Sequence, residues 1–508
     1  MRDVRRRRTA EGWLTRIEIE RLGDGVMPVD IAVPLGDTTL VVRARGIARR
    51  EVVEVATAAR PGRIELDPAR QTMDWNYLNN REGPRLPILG VMAVGREEHR
   101  LGWSETTPAR RDRRVVNWLP LAWFNDVGGV TLGFQSRANY LGRFELNATQ
   151  FTWPTGLWRP VLVASAGGPP WIDSFRMRLR PDWYVSIRNP VRLRAERREI
   201  ELAAWSLEGR AGGGIGASAD RSPRFGGPVR SSAGASLTVM AVTDAAYLDR
   251  RRWDDVNTAE LTAWAARSIT EQGPSASAAR IELTLGQSFA TRAPEPIPWV
   301  GPLPPPGCLS RRCVVGATYA RGLISSRYAL RVGEFDVRLR GVAAGTLGGT
   351  AVPLQRRIFV GGADPYATFG NPFLRSRGAL LARDDVHYGA AGGLGLRGFS
   401  PVASATWGVA LNAEAALRVM ERPTRRAFSS VSLTAFVDAA LLDRAVLGRA
   451  AAADAGVGLR AAHRIGPTRF VTRVDFPVAV TRPSAAVAGA AGDGVFKFRW
   501  VWSFEEAF

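Results

Sequence analysis

Few residues of this 508-residue chain have the chemistry to catalyse a reaction. Its histidines, His99, His387 and His463, are far apart, and no His-Glu-x-x-His occurs. A catalytic zinc site needs about three protein ligands and a general base, so no catalytic and no metal-ligating residue is assigned. Cys308 and Cys313 sit in Gly-Cys-Leu-Ser-Arg-Arg-Cys after a proline-rich stretch that reads as an exposed loop. Cysteines this close could close a small disulfide in an oxidising compartment or stay two free thiols. Gly393-Leu394-Gly395-Leu396-Arg397-Gly398 has the spacing that cradles a pyrophosphate at a helix N-terminus. Phe399, Ser400 and Pro401 follow, however, so no helix opens and no strand-helix-strand unit surrounds the glycines. A dinucleotide is therefore not expected, nor is any other cofactor.

Lysine plus arginine number 69 against 48 acids, a formal charge of +21, and Lys497 is the only lysine. Arginine excess suits phosphate. Here the arginines are spread along the chain at alternate positions and often face acids, so a nucleic-acid partner is not expected. The dense run Arg5 to Arg8 reads as a solvated terminus. No stretch approaches the roughly 18 to 20 uncharged apolar residues of a spanning helix. The first residues lack the apolar core of roughly 7 to 15 residues that marks a signal peptide, so the chain as written carries no export address.

The elements that must position these groups are strands. Trp13, Ile17 and Ile19 share one face with Glu18 and Glu20 on the other, and Met27, Val29, Ile31 and Val33 repeat the pattern after Gly23-Asp24-Gly25. With Leu40–Val42 and Arg63–Leu66, this predicts a small β-sandwich over residues 1–80, and the polar stretch 81–111 reads as a linker. From 112 to 508 the chain becomes a series of long alternating segments separated by Gly, Pro, Asp and Asn. Phe335, Val337 and Leu339 interleave with Asp336, Arg338 and Arg340; Trp407, Val409 and Leu411 lead into a strand carrying Asn412 and Glu414. Phe175, Met177 and Leu179 alternate with arginines in the same way.

Soluble sandwiches alternate too, but their strands run nearer five or six residues. Segments of about ten residues with one apolar and one charged face are the code of a membrane barrel, lipid outside and polar lumen inside. On the terminal segment Phe496, Phe498, Trp500, Trp502, Phe504 and Phe508 form an aromatic stripe that would aggregate in water. The expected fold class is all-β: a transmembrane antiparallel barrel of sixteen strands, with 12 to 16 admitted by the pattern, behind a small N-terminal sandwich. Outer-membrane lipid and lipopolysaccharide are its expected surroundings.

Gly393 to Phe399 also resembles the loop motif, Val-Arg-Gly followed by Phe or Tyr, of the barrel-assembly and two-partner-secretion superfamily known as bacterial surface antigens. Leu396, Arg397, Gly398 and Phe399 are the matching positions. Five closing strands follow the motif in that family, and five can be laid out near 404–418, 429–441, 454–463, 468–480 and 493–508. Phe-Val-Asp-Ala-Ala at 436–440, Gly-Val-Gly-Leu-Arg at 456–460 and Arg-Val-Asp-Phe-Pro at 473–477 resemble family strands, with Ala440 in place of a glycine. The resemblance implies that Arg397 folds into the lumen and pairs with Asp438, on the polar face of its strand beside Val437. The alternative is an arginine in a solvated outer loop. It also implies that Trp500, Trp502, Phe504 and Phe508 form the signal read by the barrel-assembly machinery, although Glu506 stands where an aromatic is usual.

Residues 27–37 and 63–80 resemble the β-sandwich that follows the catalytic domain in zinc aminopeptidases of the aminopeptidase N type, whose catalytic motifs have no matching positions here. The two resemblances imply a non-enzymatic outer-membrane barrel with a periplasmic sandwich, acting as a translocation pore for a polypeptide or as the membrane anchor of a peptidase module. The alternative is the C-terminal part of a membrane-tethered metallopeptidase, separated from its catalytic domain by a wrong start codon or a split gene.

Overall fold

The computed structural model describes residues 1–21, 25–74, 77–83, 85–86, 92–93, 97–101, 113–125, 129–140, 144–154, 182–193, 196–221, 228–249, 251–270, 275–291, 314–348, 352–369, 390–399, 403–421, 429–443, 451–465, 468–481 and 500–503.

The N-terminal residues form two three-stranded sheets. One orders Asp3–Thr9, Gly12–Glu20 and Arg50–Thr57; the other orders Thr38–Ala44, Val29–Leu35 and Glu65–Leu66. Alternation brings Ile17, Ile31, Val33, Val55 and Ile64 into one apolar core, the reason two small sheets hold together. Arg5 to Arg8 is not a free terminus: it lies in the first strand, with Arg5 opposite Arg16 and Arg8 opposite Trp13. A run of like charges carries no strand period, but the adjoining Gly12–Glu20 strand offers backbone partners, and Arg6 binds both oxygens of Glu82 at 2.7 and 2.5 Å.

Sixteen antiparallel strands form a barrel whose ring is closed through a short seventeenth strand, Glu97–Leu101. In order they are Arg114–Asn125, Gly129–Tyr140, Phe144–Pro154, Asp182–Leu193, Glu196–Leu207, Arg210–Arg221, Val229–Val242, Val256–Thr270, Ser275–Ala290, Thr318–Val332, Phe335–Leu347, Trp407–Glu421, Ser430–Leu442, Ala451–Ile465, Thr468–Val480 and Val501–Ser503. Apart from the last they run from 11 to 16 residues, long enough to cross a bilayer at a tilt. The 81–111 segment is more than a linker. Within it Glu97–Leu101 pairs in parallel with the first barrel strand, Glu97 opposite Arg114 and Leu101 opposite Trp118. Polar composition does not oppose such pairing, because it uses backbone atoms alone.

The wall is inside out by the standard of a water-soluble protein. Leu237, Leu261, Leu285, Ile324, Leu339, Leu411, Val437 and Leu459 are 40 to 59% exposed. Their polar strand neighbours Thr258, Glu260, Thr284, Arg340, Asn412, Glu414 and Asp438 are buried. Register keeps each set on its own side, since a slip by one residue would exchange them. Phe289 and Trp407 stand exposed at one end of the apolar band and Tyr328 and Phe335 at the other, as aromatic girdles do at the two lipid interfaces.

The two ends also differ in their connections. At one end the strands are joined by 141–143, 194–195, 222–228, 271–274, 333–334, 422–429 and 466–467; at the other, the connections include 155–181, 243–255, 291–317, 348–406 and 481–500. Short turns on one side and, apart from 126–128 and 208–209, longer loops on the other is the asymmetry of outer-membrane barrels, whose short turns face the periplasm. The chain is thus a transmembrane barrel of outer-membrane type.

Of the expected closing strands, four lie at Trp407–Glu421, Ser430–Leu442, Ala451–Ile465 and Thr468–Val480; of the fifth, Val501–Ser503 is described. The alternating segment at 175–179 lies outside the described residues.

Candidate functional site

The connection 348–406 supplies two described stretches, 352–369 and 390–399, that pack against the inner wall. Their backbones join: Leu394 N–H donates to Phe359 O at 2.8 Å and Leu396 N–H to Val360 O at 3.0 Å. Ile358, Val360, Leu394, Leu396 and Phe399 bury themselves against Val342, Ala410, Ala440, Leu442, Ala452 and Val480. The alanines at inward positions leave the space this apolar knot fills.

Arg397 follows directly from the knot. Its guanidinium donates from Nε to Asp438 Oδ2 at 2.9 Å, from Nη2 to Asp438 Oδ1 at 3.3 Å and from Nη1 to Glu414 Oε2 at 2.8 Å, with Asp475 at 3.6 Å. It also lies 3.8 Å from the centre of the Phe436 ring. Burial alone would disfavour the cation, yet the Asp438, Asp475 and Glu414 carboxylates outweigh it and raise the Arg397 pKa, so the charge is held firmly. Gly398 N–H donates to Asp454 Oδ2 at 3.0 Å. The turn needs its glycines: Gly395 has φ +75, and a Cβ at Gly398 would come within 2.5 Å of Val480 and 3.0 Å of Asp454.

The wall beneath this turn is a row set by strand register: Arg340 opposite Asn412, Asn412 opposite Asp438, Asp438 opposite Asp454. Asn412 donates to Leu394 O and Gly395 O, both at 3.2 Å, and to Asp438 Oδ1 at 3.1 Å. Arg340 donates to Asn412 Oδ1 at 3.0 Å and to Gly393 O at 2.6 Å. Arg473 bridges Glu414 at 2.9 Å and Asp475 at 2.8 Å.

A second anchor, absent from the sequence reading, holds the other stretch. Glu260 is 2% exposed and accepts both Arg356 Nε at 2.6 Å and the Tyr319 hydroxyl at 2.5 Å, with Arg356 Nη2 on its other oxygen. Tyr366 stacks on the Arg356 guanidinium at 3.5 Å and shares its hydroxyl with Thr258 at 2.8 Å. Arg321 pairs with Asp364 at 3.0 Å, and Arg252 donates to Ala363 O at 2.7 Å. Glu260 was detectable as a carboxylate between Thr258 and Thr262 on the polar face of an alternating strand, but nothing local marks Arg356 as its partner.

Leu396, Arg397, Gly398, Phe399 and Asp438 are thus brought together. Trp500 and Trp502 are more than a third exposed, and Trp502 pairs with Val474 across the last strand. Phe504, Phe508, Cys308 and Cys313 lie outside the described residues. Among the described residues no group of three or more His, Cys, Asp or Glu is placed to hold a metal. What the arrangement does chemically is fix a segment of chain by charge and apolar packing.

No protein-family model and no curated protein matches the chain. Solved structures do. CdiB from Acinetobacter baumannii is similar at 9% identity and TM-score 0.30, over 64% of this chain and 56% of its own. BamA from Haemophilus ducreyi lacking POTRA domains 1-3 is similar at 10% identity and TM-score 0.31, over 63% and 66%. A bacterial polysaccharide outer membrane secretin is similar at 9% identity and TM-score 0.34, over 76% and 94%. The chain therefore spans just under two thirds, or less, of the length of the first two proteins it is similar to.

Proposed function

We propose that the chain is a translocation barrel of the outer membrane, closed at rest by its own residues 352–369 and 390–399 and opened when the Arg397 and Arg356 anchors let go. The observation that carries this reading is the inward packing of 352–369 and 390–399, tied to strands 256–270 and 318–332 by one anchor and to strands 335–347 and 407–480 by the other. A barrel meant only as a wall has no use for so many buried charges, whose desolvation costs several kcal/mol per ion. Residues 1–80 would work in the periplasm, consistent with a chain that enters its first strand from the short-turn end. Lipid and lipopolysaccharide surround the apolar band, and the exposed Trp500 and Trp502 would meet the assembly machinery during insertion.

Stretches packed on the inner wall also suit a membrane anchor, and attachment to a peptidase module rests on the resemblance of residues 27–37 and 63–80 alone. Single-barrel conductance in planar bilayers separates pore from anchor. Wild type should stay near the baseline, and the Arg397→Ala, Glu260→Gln double variant, folded and inserted, should show large open steps. A double variant as silent as wild type would leave the anchor.

A further inference from the structure

The connection 243–255 joins strands 229–242 and 256–270 at the long-loop end. Two residues are enough to turn an antiparallel chain; the surplus here folds down onto the 352–369 stretch. Asp254 and the turn 354–356 exchange bonds in both directions. Asp254 Oδ2 accepts the Leu354 N–H at 2.7 Å, and the Asp254 N–H donates to Gln355 Oε1 at 3.0 Å. Trp253 packs on the rings of Tyr366 and Phe369, with centres 5.2 and 6.1 Å away. The Arg252 guanidinium lies 5.1 Å from the centre of the Phe359 ring while donating to Ala363 O. Arg252, Trp253 and Gln355 are buried. Connections usually keep to the surface and leave such groups to water. This one turns them onto the seal.

The turn 354–356 is thus gripped twice. Glu260 holds Arg356 from the wall, and Asp254 holds Leu354 and Gln355 from the connection. The two grips rest on different supports. Glu260 belongs to a strand paired along both edges, which cannot leave the wall without breaking two ladders. A connection can swing from its ends. We propose that 243–255 is a latch over the seal, and that the 352–369 stretch leaves the wall only after the latch has lifted. This deepens the reading that the two stretches close the barrel, and rests on it for what their release means. Because the short turns face the periplasm, opening begins at the exterior end of the barrel.

Hydrogen exchange of the full chain, folded in detergent, reads the release of 352–369 whether or not the barrel conducts. The reporters are the Val360 and Thr368 amides, which bond to Ala403 O and Asp364 O and not to the connection. Asp254→Ala should speed their exchange by about tenfold, the worth of one hydrogen bond to a charged group. Asp254→Asn, whose amide oxygen still accepts the Leu354 N–H, should speed it far less. If the latch must lift first, fastening it outweighs a weakened wall anchor. Asp254→Cys with Gln355→Cys, in a Glu260→Gln, Cys308→Ser, Cys313→Ser background and joined by a short reducible cross-linker, should keep both amides protected. Reductant should then restore fast exchange. Retention of the heat-sensitive folded band on gels establishes that each variant is intact. Unchanged exchange in folded Asp254→Ala, equal speeding by Asp254→Asn, or fast exchange in the cross-linked barrel overturns the latch. None of these measurements uses conductance, so a silent Arg397→Ala, Glu260→Gln variant defeats the pore reading alone, and the exchange results decide the latch.

Discussion

Arg397 Nε reaches Asp438 Oδ2 at 2.9 Å across 41 residues of sequence, and Glu414, held 2.8 Å from the same guanidinium, belongs to the neighbouring strand. One side chain thus ties a loop turn to two strands of the wall at once. Truncating it strands buried carboxylates. Arg397→Ala should cost about 3 to 5 kcal/mol, the range for breaking a buried pair by removing one partner. Asp438→Asn should cost less, since Glu414 and Asp475 remain near the guanidinium. Both are read from the temperature at which the folded band is lost on gels; equal heat resistance of Arg397→Ala and wild type would refute the anchor.

The second anchor makes a separate prediction. Glu260→Gln leaves Arg356 buried with a neutral acceptor and should destabilise by a comparable amount. Because Leu394 and Leu396 bond to Phe359 and Val360, loosening either stretch frees the other. Double-mutant cycles of Arg397→Ala with Glu260→Gln should therefore show a coupling of at least about 0.5 kcal/mol, beyond what independent sites give. Strict additivity would mean that the two stretches hold on independently.

Glycine at 398 is required by contact. Gly398→Ala would push a methyl against Val480 and Asp454 and lift the amide from its carboxylate. A loss of about 1 to 3 kcal/mol is expected, the usual cost of overpacking, seen as faster proteolysis within 390–399. Unchanged protection there would show that the turn can shift freely.

Lipid contact has its own signature. Leu283→Arg, on the outward face, should cost about 2 to 4 kcal/mol in a bilayer if it lies near the midplane. Reversible unfolding from lipid vesicles measures it. A change near zero would place Leu283 outside the apolar region.

Acid sensitivity is expected in the sandwich. The Arg6 guanidinium, with help from the Ile64 N–H, holds the Glu82 carboxyl below the usual carboxylate range. A carboxylate whose pKa is lowered by folding stabilises the fold above its unfolded value, ~4.3. That contribution is lost as pH falls through the folded value. Hydrogen exchange of residues 1–82 in the full chain should speed up below that range, and Glu82→Gln should flatten the response. The same acid dependence in Glu82→Gln would assign the effect elsewhere.

The wall was legible because alternation has a physical cause: each strand of a barrel sees lipid on one side and lumen on the other, and Val437 beside Asp438 records both. The sandwich core was legible for the same reason at Ile17, Ile31 and Val33. The pairing of Glu97–Leu101 was not, since backbone bonds leave no mark on side-chain composition. Arg356 was illegible too. It lies in an irregular segment, and its partner Glu260 is 96 residues away, so only the folded lumen relates them. Arg397 stood out through its glycine-rich surroundings and through resemblance; its contacts with Glu414 and Asp475 depend on the register of strands that sequence patterning leaves free.

The partners of Arg397 lie on strands 407–421, 430–442 and 468–480, all later in the chain than the turn that carries it. The backbone ladder between consecutive strands, by contrast, can form as the chain is laid down. The guanidinium must wait until these closing strands arrive in order. Docking of this turn is therefore an event in time as well as a place in the fold: it dates the moment when the last quarter of the wall has taken its correct order and register.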